Sequence, residues 1–134
     1  ADALVLPGVV LAGTQALLKE AGKAGLGEQL AKQMDAEVKD LVAEGARKAQ
    51  GGDYEGAVQF MLSAVRKMPG NVHVLFNATL ALLKYIENCG WNERFATQAR
   101  DLMERARQLD PGNSRLPALT AFYYNLLKKY GIQP

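Results

Sequence analysis

GGDYEGAVQFMLSAVRKMPGN, residues 51–71, reads as one helix between two turns. Asp53 can cap it through its carboxylate, and Pro69 with Gly70 stops it. Ala57, Met61 and Ala64 share one face at helical spacing, and two of the three are small. A core face normally carries bulky side chains, so this one predicts a second helix packed very close. The stretch 57–71 also has an echo: Ala57, Met61, Ala64 and Pro69 align with Ala99, Met103, Ala106 and Pro111, and the PGN turn recurs. From 57 to 99 the offset is 42 residues, within the range of stacked helical hairpins.

Working outward, helical spacing recurs and no convincing period-two strand appears. A first helix is expected over residues 9–21, ended by the glycines of GKAGLG at 22–27. Leu26, Leu30, Met34, Val38, Leu41, Gly45 and Ala49 then predict one long amphipathic helix ending near Gln50. After the opening stretch, Asn71 caps a helix over 72–88, with Gly90 in the turn behind it. Asn92 caps the next, which ends at LDPGN, and Ser114 caps a last one reaching about Lys129. The expected fold is all-α, with about six helices: an amino-terminal extension over 1–37 and a repeat region over 38–134.

Composition fits one ordered domain. The chain has 134 residues, 49% of them hydrophobic, with a formal net charge of +2. That balance gives no ground for a nucleic-acid or membrane partner. A single cysteine, Cys89, excludes an internal disulfide and suits a reducing, cytoplasmic setting. LVLPGVVLAG at 4–13 has no basic stretch before it and is broken by Pro7 and Gly8, so neither a signal peptide nor a membrane span is expected. The chain opens on Ala, which suggests a piece of something longer.

Gly45 on the first helix, followed by Gly52, Tyr54, Ala57, Met61, Ala64 and Pro69, resembles the tetratricopeptide repeat (TPR) family. In that family the small residues mark the closest approach of the paired helices, and the proline ends the second. A second unit over 72–111 keeps Leu75, Ala99, Met103, Ala106 and Pro111. It carries Thr79 where a small residue is usual and about eight extra residues around YIENCGWNERF at 85–95. Leu119, Ala121 and Tyr124 place the last helix as the start of a third unit, a terminal cap. Residues 76–116 together with YGI are also similar to the carboxy-terminal region of bacterial response regulators in which a receiver domain precedes such repeats.

The resemblance implies a concave groove lined by the first helix of each hairpin. Carried over by position, its residues are Lys39, Val42, Ala46 and Ala49, then His73, Phe76, Asn77, Leu80 and Leu83, then Arg115, Ala118, Phe122 and Asn125. Val42 and Ala46 stand where the family's chaperone-tail binders carry Lys and Asn, which argues against an acidic tail as ligand. An apolar groove suits the apolar face of a partner helix. The same apolar residues could equally be ordinary core. The amino-terminal helix, rich in Val and Leu, is expected to pack on the repeats of its own or a second copy, a possible homodimer contact.

No residue set suggests catalysis. His73 is the sole histidine and has no Cys or His at metal spacing, so neither a metal nor a cofactor is expected. Cys89 lies sixteen residues from His73, about 24 Å along one helix and too far for a nucleophile and its base. GKAGLG lacks the ending of a phosphate loop, and DAEVKD at 35–40 lacks the glycine and glutamate of a calcium loop. Asp40 with Glu44, and Glu104 with Arg107 or Gln108, fall at surface-pair spacing, and Arg94, Arg100 and Arg105 share a mixed, solvated face. The expected function is therefore a noncatalytic protein-interaction module, the partner-binding region of a bacterial two-component response regulator. The alternatives are a structural dimerisation domain and an envelope-assembly TPR protein.

Overall fold

The computed structural model describes residues 36–133. The described residues form five helices and no strand: α1 (Ala36–Gln50), α2 (Tyr54–Lys67), α3 (Val72–Cys89), α4 (Glu93–Leu109) and α5 (Arg115–Tyr130). The fold is all-α. The helix expected over 9–21, the glycine turn at 22–27 and the first turns of the helix expected from residue 26 lie outside the described residues.

Local chemistry sets the helix ends. The Asp53 carboxylate accepts from the Gly56 amide at 2.8 Å, the Asn71 side chain from Val74 at 3.3 Å, and that of Asn92 from Phe95 at 2.9 Å. Each satisfies an amide that the first helical turn leaves without a partner. At α5 the expected cap is corrected. Ser114 already has helical dihedrals and makes no side-chain cap bond. Asn113, one residue earlier, accepts from the Arg115 amide at 2.9 Å, and its own amide donates to Asp110. The turn after α3 depends on Gly90, whose φ of 111° suits no side chain.

Helices α1 and α2 form a hairpin closed by a three-residue turn, Gly51 to Asp53. A Cβ on Gly45 would stand 2.9 Å from Met61 Cε and 3.3 Å from the Ala57 carbonyl oxygen. The small face of 51–71 therefore does meet a helix at close range, at the residues the sequence marks. Ala57, Met61 and Ala64 are all buried there. An exposed ion pair, Lys67 to Glu37 at 2.9 Å, joins the far ends of the same two helices.

Helices α3 and α4 repeat the arrangement with another three-residue turn, Gly90 to Asn92. Buried Thr79 stands in the place of Gly45 and donates its hydroxyl to the Leu75 carbonyl at 2.8 Å, which satisfies its one buried polar group. The additional residues form no loop. Thr79 lies ten residues before the end of α3 where Gly45 lies five before the end of α1, and Ala99 lies six into α4 where Ala57 lies three into α2. Both arms of the hairpin are simply longer. Tyr85 and Phe95 fill the extension as an edge-to-face pair 4.8 Å apart.

The two hairpins stack through extensive α2–α3 packing. The next junction differs, because α5 packs mainly on α3 and touches α4 only slightly. The far end of α5 explains the shift. The last four carbonyls of α3 have no partner within the helix. Tyr130 Oη donates to the Ile86 carbonyl at 2.7 Å and Lys129 Nζ to that of Glu87 at 2.9 Å. The lysine charge also suits the negative end of the α3 dipole. Trp91 lies against Tyr130, with ring centroids 6.1 Å apart. The lengthened hairpin thus offers α5 an anchorage that the shorter one lacks.

Candidate partner-binding face

The residues assigned to a groove sit on α1, α3 and α5, but the structure mostly encloses them. Val42, Ala46 and Ala49 on α1 are buried, as are His73, Phe76, Asn77, Leu80 and Leu83 on α3 and Phe122 on α5. Lys39, Ala118 and Asn125 are exposed, and Arg115 is half-buried. The open groove implied by the resemblance is therefore not what these side chains form; the reading of its apolar members as core fits their burial. On the α3–α5 side the reason is visible. The Lys84 ammonium lies 5.9 Å from the centre of the Phe122 ring, and that lysine is itself buried apart from its ion pair with Glu87. Asn77, the best polar point of the expected groove, donates its amide to the His73 carbonyl of its own helix at 3.0 Å.

The other singled-out residues take structural places. Gly45, Ala99, Met103 and Ala106 are buried like their partners in the first unit, Tyr54 is half-buried, and Pro69 and Pro111 are exposed in the turns after α2 and α4. Gly52 holds a positive φ of 86° in the first hairpin turn. His73 and Cys89 stand at opposite ends of α3, the thiol exposed. Among the described residues no group of three or more His, Cys, Asp or Glu could hold a metal ion. No helix among them is long and apolar enough to cross a membrane.

Among the described residues three ion pairs each join side chains three apart on one helix. Arg107 pairs with Glu104, whose carboxyl is held below its usual range, first by the hydrogen bond from Arg107 and then by its charge. Glu44 pairs with Arg47, and not with Asp40, since two carboxylates one turn apart repel.

A different concavity is present. Helix α5 packs mainly on α3, and a cleft of about 250 Å³ lies between it and α4. Met103, Leu116 and Tyr123, all nearly buried, form its floor, Thr120 and Tyr124 one wall, and Arg100, Glu104 and Arg107 the rim. Beyond Tyr124 a second cleft of about 280 Å³ continues past Leu127 and Lys128 to Ile132 and Gln133. The sequence held one signal of it: no charged residue occurs between Arg115 and Lys128. Its position follows from the packing of α5 on α3 rather than on α4, which the repeat does not encode. No protein-family model, no curated protein and no solved structure matches this chain.

Proposed function

We propose that this chain is a noncatalytic protein-interaction module of the TPR type, serving as the partner-binding region of a bacterial two-component response regulator. One observation carries the first half of that reading. Gly45 meets Met61 and Ala57 at a distance that leaves no room for a side chain larger than a methyl, and the same small-Met-small series is buried again on α4. Stacked hairpins of this kind offer extended surfaces to a partner. The second half rests on the similarity of residues 76–116 to response-regulator repeats. The partner is a protein or peptide that presents the apolar face of a helix.

Photo-crosslinkers placed singly at exposed Lys39, Gln59, Tyr124 and Asn125 in the host cell test the proposal. The expected result is one protein captured repeatedly from one face, which then binds the purified chain saturably. A turnover that disappears in His73→Ala or Cys89→Ser would overturn it, as would the absence of any saturable partner.

A further inference from the structure

On α4 the exposed positions carry Glu93, Arg94, Arg100, Asp101, Glu104, Arg105 and Arg107, the pattern of a solvated face, with only Gln108 and Leu109 uncharged. On α5 the exposed positions up to Asn125 are Pro117, Ala118, Thr120, Ala121, Tyr124 and Asn125, all uncharged, and Lys128 and Lys129 follow in its last turn. Tyr124 is 49% exposed, and Leu109 is the only other large hydrophobic so exposed among the described residues. Tyr124 also stands between the two clefts and lines both. From Leu116 to Ile132 the strip is about 24 Å long at the helical rise, the length of a helix of about 16 residues.

We infer that this strip seats an acidic amphipathic helix of a partner protein, and the inference rests on the interaction-module reading above. The shape calls for a helix because the two clefts share Tyr124, follow α5 from Leu116 to beyond Lys128, and are lined by Met103, Leu116, Tyr123 and Leu127. The charge decides its flanks. Arg100, Arg107 and Lys128 line the two clefts against a single carboxylate, Glu104, which already belongs to Arg107. Arg100 and Lys128 have no ion pair among the described residues, so glutamates beside the apolar face of the incoming helix would find them. A second copy of this chain does not fit. Pairing α5 antiparallel about its midpoint sets Lys128 opposite Pro117, and pairing it parallel sets Lys128 beside Lys128; α5 carries no carboxylate, so neither arrangement gives that lysine a counter-charge.

Two helical peptides of about 18 residues test this with the full chain. They share one Leu/Ala face and differ only in the flanking residues, glutamate in one and lysine in the other. The glutamate peptide is expected to bind about ten-fold or more tightly than the lysine peptide, and to weaken as salt rises from about 0.05 to 0.2 M. Tyr124→Glu should lower its affinity about ten-fold, with the circular dichroism of the chain unchanged because the position is exposed. Equal binding of the two peptides, binding of neither, indifference to Tyr124→Glu, or preferential binding of a single-stranded oligonucleotide at this strip would each overturn the inference. A partner crosslinked from Lys39 or Gln59 and never from Tyr124 would also overturn it, while leaving the interaction-module reading intact.

Discussion

Gly45 is where two opposing terms can be weighed. Alanine there would gain about 1 kcal/mol of helix propensity but would press on the end of the Met61 side chain, which can move aside. Gly45→Ala should therefore change stability by less than about 1 kcal/mol. Valine adds branches toward the Ala57 carbonyl, which cannot retreat without displacing α2. Gly45→Val should cost about 1–3 kcal/mol, and so should Ala57→Leu from the facing side. Urea unfolding measures both; variants that unfold like the parent would mean that the helices are not in close contact at this point. This contact was legible in the sequence because it depends on residues at fixed helical spacing. The burial of Phe76, Leu80 and Phe122 was not. An apolar side chain on the first helix of a hairpin has the same spacing whether it faces water, a ligand or another helix.

At the level of helices, the capped starts of α2, α3 and α4 were legible because each depends on one side chain and an amide three residues on. The cap of α5 was displaced by one residue, since the adjacent Asn113 and Ser114 are both good caps and only backbone geometry chooses between them. Asn92→Ala should cost about 1 kcal/mol, read from thermal melting. The docking of α5 could not be foreseen, because Tyr130 reaches a carbonyl 44 residues away in sequence. Tyr130→Phe removes that bond but leaves Ile86 its contact with the Gly90 amide at 3.1 Å. The expected loss is near the lower end of about 0.5–1.5 kcal/mol. Native-state hydrogen exchange should show the faster exchange confined to α5 and the end of α3; a uniform increase along the chain would mean that the bond does not hold α5 locally.

For the described part of the molecule as a whole, the two junctions predict unequal cooperativity. The hairpins α1–α2 and α3–α4 share the broad α2–α3 contact, whereas α5 rests mainly on one helix and leaves a cleft beside the other. Helix α5 should open at lower free energy than α3, whose residues 72–84 are all buried. Hydrogen exchange in low denaturant should release the amides of α5 first. Simultaneous release with α3 would mean that α5 belongs to the same folding unit. The 42-residue offset made a regular stack the natural expectation; the lengthened hairpin redirected the last helix through contacts that no repeat pattern contains.

Trp91 is the chain's one tryptophan, and it lies against Tyr130 at the hairpin tip. Its indole N–H donates to the Glu93 carboxylate at 2.9 Å, so its surroundings change with the tip itself. Two residues before it, the sole thiol, Cys89, is exposed to solvent. The protein therefore carries an intrinsic fluorophore and a unique labelling handle at the place where α5 is moored. Emission from Trp91, or from a dye on Cys89, would report the release of that mooring as a signal separate from the loss of helix.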